Sequence, residues 1–279
     1  MTHQLSIKAG LALGAAALFS TGFLATDASA QGKRDFSAVQ IKTIQVAPNI
    51  NMLGGSGGNI GVVSGPDGLF MIDDQFAPLS NKIMAAIKKI SDQPIRFLLN
   101  THWHGDHTGG NANFAGKTKA TIVAHEHVRQ MLSNEQFMAA FKRKIPAAPQ
   151  IAWPVVTFKD GATFHMNGET IEVRHLPAAH TGGDAMVHFK KANVIHMGDT
   201  FFNGIFPFID TDHGGSVDGI INAAKTALAL ADDKTKIIPG HGPLGDKAAL
   251  QRYHDVMVKV RANVMAAMAV FPISAYGTN

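Results

Sequence analysis

No cysteine occurs among the 279 residues. That absence excludes a disulfide framework, thiolate ligation of a metal and a lipid anchor built on an N-terminal cysteine. Charge is also scarce. Asp, Glu, Lys and Arg make up 16% of the chain, and the formal net charge is only +4. Such an excess is too weak for a phosphate-backbone footprint. The one compact basic cluster, Lys142, Arg143 and Lys144, reads as a solvated helix face. Nucleic acid is therefore not an expected partner. Beyond residue 30 no apolar run is long enough to span a bilayer. There is no internal repeat and no low-complexity linker. The apolar fraction of 46% excludes a disordered chain and suffices for a core without staples.

What is present begins at the N-terminus. Lys8 precedes an apolar stretch, residues 9–25, and Ala28-Ser29-Ala30 supplies a small-x-small site. This is the layout of a secretory signal peptide. Gly10, Gly14, Ser20 and Gly22 make the stretch a poor permanent span. The expectation is cleavage after Ala30, with residues 1–30 removed and residues 31–279 forming one domain. The protein would then act in the periplasm or outside the cell, with no stable membrane span.

The densest chemistry lies at residues 99–111. His102, His104, Asp106 and His107 form the pattern H-x-H-x-D-H. Imidazole and carboxylate are the donors zinc takes when no thiolate is present. The apolar run 95–99 reads as a strand feeding this loop, and Gly105, Gly109 and Gly110 mark the turn. Three further residues stand in matching settings. His180 follows the strand-like run 171–176. Asp199 ends the run 194–199, and His241 follows Ile237-Ile238-Pro239-Gly240. Four strand ends would thus deliver ligands to one rim.

These residues, in this order, resemble the metallo-β-lactamase-fold hydrolase superfamily over roughly residues 40–250. The resemblance implies an α/β protein, a four-layer αββα sandwich with its metal site at one edge of the sheets. It implies two zinc ions, for which iron or manganese could substitute. His102, His104 and His180 would hold one ion. Asp106, His107 and His241 would hold the other, with Asp199 between the two. Two close ions can share a water, lower its pKa and present hydroxide to an electrophile. Asp106 and Asp199 are the expected catalytic carboxylates, Asp106 taking up the released proton.

Within the superfamily, the lack of cysteine departs from the thiolate β-lactamase subclasses. Asp199, in Gly198-Asp199-Thr200, looks like a bridging carboxylate. The full set is closer to hydroxyacylglutathione hydrolases, lactonases and related thioesterases. The expected activity is dinuclear zinc-dependent hydrolysis of a small-molecule ester, thioester, lactone or lactam. Three alternatives stay open: a β-lactamase acting on β-lactam antibiotics, a phosphodiesterase, and a non-catalytic metal-binding accessory protein in a periplasmic relay. The phosphodiesterase is disfavoured because no arginine near the motifs forms a clamp.

Other residues are candidates for support or for substrate contact. Asp73 and Asp184 stand where a carboxylate could orient a ligand histidine. Trp103, Phe202, Phe206 and His213 are candidate pocket residues, forming an apolar wall beside a polar centre. The glycine-dense residues 54–58 lack the lysine of a phosphate loop and read as a flap over the metal edge. His196 reads as a packed core histidine. Strands are expected near residues 39–46, 61–73, 95–99, 120–124, 155–158, 163–165, 170–176, 185–189, 193–197 and 236–238. Helices are expected at 78–90, 125–142, 217–230 and 244–268.

Overall fold

The computed structural model describes residues 35–270. The expected signal peptide and its cleavage point lie outside the described residues. The chain runs through β1 (Lys42–Ala47), β2 (Ile50–Gly54), β3 (Ile60–Val63), β4 (Leu69–Ile72), α1 (Ser80–Lys88), β5 (Ile95–Asn100), α2 (Gly105–Thr108), α3 (Asn111–Thr118) and β6 (Thr121–His125). It continues through α4 (Glu126–Leu132), β7 (Gln136–Met138), β8 (Arg143–Ile145), β9 (Val156–Phe158), β10 (Gly161–Met166) and β11 (Glu169–Leu176). Last come β12 (Asp184–Phe189), β13 (Val194–His196), α5 (Val217–Leu230), β14 (Lys236–Ile238), β15 (Gly245–Asp246) and α6 (Lys247–Val270).

Among the described residues the two large sheets run in the orders β1-β2-β3-β4-β5-β6-β9 and β10-β11-β12-β13-β14-β15, beside a two-stranded β7-β8. Strand alternation builds the layers. Phe70 and Ile72 of β4 point inward and pack with Val173, Val187 and Phe189 of the opposite sheet. Leu69 and Met71 point outward, onto Ile83 and Ile87 of α1 and Phe114 of α3. On the far side Met186, Ile195 and Ile237 face Ile220, Ala224 and Ala227 of α5 and Leu250 and Met257 of α6. Helix, sheet, sheet, helix is the order of layers, as expected. A strand buried on both faces reads as a continuous apolar run, which is why β4 lacks visible alternation in sequence.

The topology explains the rim. Strands β4, β5 and β6 are parallel, and β13 and β14 are parallel. Because β11 and β13 both run antiparallel to β12, β11 shares their direction. The C-terminal ends of all these strands open onto loops carrying Asp73, His102, His180, Asp199 and His241. Loops at the carboxyl ends of parallel strands are where α/β proteins place ligands. Thr101 O accepts from Ala185 N at 2.8 Å, and Gly240 O from Asn59 N at 2.7 Å, so the two sheets are tied together at this rim.

Three expectations are corrected. Residues 125–142 are not one helix: α4 stops at Leu132, and β7 and β8 form a separate hairpin. Ser133 and Asn134 turn their side chains back onto Gln130 O, competing with helix continuation. Beyond them Phe137 is exposed and Met138 buried, a period of two. Lys142 sits in the left-handed turn of that hairpin (φ 48°), not on a helix face. Strand β2 and helix α3 were not anticipated. Helix α5 matches its expected bounds, and Ser216 caps it by accepting from Gly219 N at 2.9 Å.

His196 is fully buried, donates to Asn59 O at 3.1 Å, and accepts from Gly198 N at 3.2 Å. Burial lowers its pKa to about 4. An unfolded histidine binds its proton near pH 6.5. Stability from this neutral ring is therefore present above pH 6.5 and is lost as pH falls through 4, by about 3 kcal/mol. In the metal-free protein, His196→Gln is expected to flatten the fall in urea midpoint between pH 7 and pH 4.5. An unaltered pH slope would refute the assignment.

Candidate metal centre

All seven sequence-identified ligands meet at the rim. His102 and His104 leave β5 in a loop that turns into α2, so Asp106 and His107 lie in that helix. His180, Asp199 and His241 arrive from the second sheet. Among the described residues three groups have donor atoms close enough to share an ion: His102, His104 and His180; His102, His107 and Asp199; Asp106, His107 and His241. The first and third are the two trios that the resemblance implied. Asp199 reaches both. Its Oδ1 lies 3.0 Å from His107 Nε2. Its Oδ2 lies 3.3 Å from His241 Nε2, 3.5 Å from His180 Nε2 and 3.8 Å from His102 Nε2.

The outer nitrogens fix the ring tautomers. His180 Nδ1 donates to Phe208 O at 2.7 Å. His104 Nε2 donates to Asp210 Oδ2 at 2.9 Å. His107 Nδ1 donates to Asp73 Oδ2 at 2.7 Å. Thr101 gives its hydroxyl proton to Asp73, so its oxygen accepts from His102 Nδ1 at 3.1 Å. With protons outside, the lone pairs point in. His104 Nδ1 faces His102 Nε2 at 3.1 Å and His180 Nε2 at 2.8 Å. Three lone pairs at such spacing repel unless a cation lies between them. The donor set therefore fits a metal ion.

Electrostatics divides the centre. Burial lowers the pKa of His102 well below the usual value and that of His180 to about 4, leaving both rings neutral. On the other side burial opposes charge on His107, but Asp199, Asp73 and Asp106 outweigh it and raise its pKa. Burial likewise opposes charge on His241, yet bonds to Asp106 and Asp199 raise it to about 9. Burial would raise Asp106 and Asp199; the facing histidines instead hold Asp106 at about 2 and Asp199 well below the carboxylate range. Without metal, protonated imidazoles occupy the field that a cation would neutralise.

The remaining candidates divide. Asp73 does orient a ligand, His107, and also accepts from Thr101 N at 2.7 Å. Its left-handed backbone (φ 60°) is held by these bonds. Asp184 does not touch an imidazole. It accepts from Thr181 N and Thr181 Oγ1, bracing the loop that carries His180. Burial raises its pKa to about 8. His213 turns to Asp210, at 2.8 Å, rather than to open space. Trp103 is 2% exposed and packs with Ala124, Val128 and Met138, so it is core and not pocket wall. Phe202 stacks on His241, centroids 5.0 Å apart, and Phe206 is exposed.

The C-terminal end of residues 54–58 is tied down at Gly58. Gly58 N donates to Asp106 O at 3.1 Å, and Gly58 O accepts from Gln75 Nε2 at 2.7 Å. A side chain at Gly58 would overlap the His107 ring, and one at Gly240 would overlap Asp199. Two partners escaped sequence reading: Thr101 and Asp210. Thr101 merely precedes the motif, and Asp210 is distinguished only by lying three residues before His213.

Residues 53–241 match the family profile described as the Metallo-beta-lactamase superfamily. The hydroxyacylglutathione hydrolase of Nitrosococcus oceani is 29% identical over 170 residues, covering 59% of this chain and 55% of that protein. The linear primary-alkylsulfatase of a Pseudomonas species is 24% identical over 132 residues, covering 45% of this chain and 24% of that protein. The chain thus spans about half the length of the hydroxyacylglutathione hydrolase it matches. Solved metallo-beta-lactamases from Pontibacter korlensis and Cronobacter sakazakii share its fold, with TM-scores of 0.64 and 0.67, each at 18% identity. They cover 78% and 82% of this chain, and 99% and 96% of their own. The profile match runs from β2 to His241 and takes in every residue of the centre, so the chain belongs to the metallo-beta-lactamase superfamily.

Proposed function

We propose that this chain is an exported dinuclear metallo-hydrolase acting on the carbonyl of an ester, thioester, lactone or lactam. The observation that carries the reading is the convergence of His102 Nε2, His104 Nδ1 and His180 Nε2 beside Asp199. Two divalent ions held there, zinc by preference of the donor set, supply a water of lowered pKa and positive charge for a developing oxyanion.

The chain's own residues do the rest. His102, His104 and His180 would hold one ion with Asp199 beside them, and a metal held there would supply Lewis acidity rather than only a structural link. Asp199 is ionised and 4% exposed, set between the trios. Asp106 and His241 are the open side of the centre, with side chains 28% and 23% exposed. Substrate approaches there. Asp106, held at a pKa of about 2 by the facing histidines, is the carboxylate that could take up a proton at the open side, a role that would need the water acidity a bound metal supplies. Asp73, Thr101, Asp210 and Phe208 O hold the rings so that this geometry pre-exists.

Sequence similarity favours an acyl substrate over a phosphodiester, since hydroxyacylglutathione hydrolases, named for an acyl group on glutathione, are among the relatives. Export rests on Lys8, the apolar residues 9–25 and Ala28-Ser29-Ala30. Intact mass of the secreted protein checks it, and a retained Met1 would refute it. The activity is tested with the zinc-loaded protein on thioester, lactone, β-lactam and phosphodiester substrates, with and without chelator. The expected result is turnover in a carbonyl class, abolished by chelator and restored by zinc. Silence in every class with two ions verified per chain would favour the accessory metal-binding role.

A further inference from the structure

A cavity of about 370 Å³ lies between residues 202–207 and helix α6, in the size range of small-molecule sites. Phe202, Ile205, Phe206, Tyr253, Val256 and Met257 supply its apolar walls, and Arg252 is the only charged residue lining it. Phe202 belongs to two places at once. It lines the cavity, and its ring stacks on His241 at 5.0 Å and 24°. It also forms a bridge with His241, and Asn203 N donates to His241 O at 2.9 Å. One aromatic ring therefore separates the cavity from the open side of the metal centre.

The mouth is unusually apolar. Ile205 is 56% exposed, Phe206 73% and Val256 45%. Large apolar groups grouped at a concave mouth mark a binding site more often than chance exposure does. Asn203 and Gly204 add little polarity, and no carboxylate lines the space. An occupant held here is recognised by its hydrocarbon.

We propose that this cavity receives a straight, medium-length acyl chain of the substrate, placing the carbonyl beyond Phe202 at the Asp106–His241 side of the centre. The acyl linkage rests on the hydrolase reading above; the affinity of the cavity for a hydrocarbon chain does not. The chain enters over Phe206 and lies along Val256 and Met257. Specificity then comes from chain length, since each buried methylene multiplies affinity by about fourfold.

The test uses S-acyl N-acetylcysteamine thioesters from acetyl to decanoyl on the zinc-loaded protein, and calorimetric titration of decanoate into the metal-free protein. The expected series rises about fourfold in kcat/KM per methylene until the cavity is full, chiefly through KM. Val256→Trp, which fills the cavity, is expected to collapse that slope and abolish decanoate binding. Val264→Trp, farther along α6 and outside the cavity, should leave both as in the wild type. A flat chain-length series in an active enzyme would overturn the proposal and leave the hydrolase reading standing. Absence of all turnover, with decanoate binding that Val256→Trp removes, would overturn the hydrolase reading and support the cavity. Concentration-dependent dimerisation without decanoate binding would assign the apolar mouth to a second copy of the chain and refute the proposal. If Val256→Trp fails to fold, the wild-type series and titration still decide.

Discussion

Asp199→Ala, supplied with excess zinc, is expected to retain less than about a thousandth of the wild-type kcat/KM and fewer than two ions per chain. The charge at this point contributes several kcal/mol to transition-state stabilisation, and each 1.36 kcal/mol is tenfold in rate. Its carboxylate touches both trios: Oδ1 meets His107, and Oδ2 meets His241, His180 and His102. No other described carboxylate spans them, because Asp106 meets only His107 and His241. Removing Asp199 also leaves the charged His107 with less compensation in a fully buried site. Breaking a buried pair in this way costs about 3–5 kcal/mol, so the metal-free variant should unfold at lower urea. Elemental analysis and steady-state kinetics together check the prediction. Two ions retained with activity within tenfold of wild type would sink it.

Asp73→Asn should weaken zinc binding by about 10–100-fold, the usual loss when a partner of a ligand histidine is removed. The change is isosteric, so the effect isolates charge and hydrogen-bond polarity. Asp73 Oδ1 accepts from Thr101 N, while Oδ2 accepts from Thr101 Oγ1 and His107 Nδ1. An amide has one acceptor oxygen. Turned one way, its NH2 opposes Thr101 N–H; turned the other, it opposes His107 Nδ1–H. In the second arrangement the His107 proton moves to Nε2 and points into the metal centre. Zinc affinity is read by competition with a chelator of known strength, and circular dichroism separates lost affinity from lost fold. An unchanged zinc titration in a folded variant would rule out the orienting role.

The ligands were legible because each stands at the end of an apolar strand and is a His or Asp beside glycine. The H-x-H-x-D-H segment needs no knowledge of distant residues to be recognised. Asp73 was legible for the same reason, as the residue that ends Leu69-Phe70-Met71-Ile72. Asp210 was not, because nothing local marks it. It becomes a partner of His104 only when the loop after Asp199 folds back across the first sheet's rim. Asp184 misled because it lies only four positions after His180, close enough for an imidazole contact. The chain instead turns so that Thr181 takes both carboxylate oxygens. Trp103 misled by position, since a residue inside a metal motif can still point into the core.

The error over residues 125–142 has a different origin. The apolar spacing through Val128, Met131 and Leu132 is helical, and α4 obeys it. The switch to period two falls within three residues of a strand too short to show alternation. Short strands take their identity from the partner they pair with, here Arg143–Ile145.

The sequence by itself determined which donors the chain offers and the apolar strands that carry them, because ligand chemistry and apolar runs are local properties. It also determined that thiolate chemistry is impossible. The tertiary structure decided which nitrogen of each ring faces inward, which carboxylate spans the two trios, and that an apolar cavity adjoins them. Those facts depend on contacts between residues far apart in the chain, such as Asp106 with His241, 135 positions on, and Phe202 with both His241 and α6. Only packing of one sheet against the other brings such groups within hydrogen-bond reach.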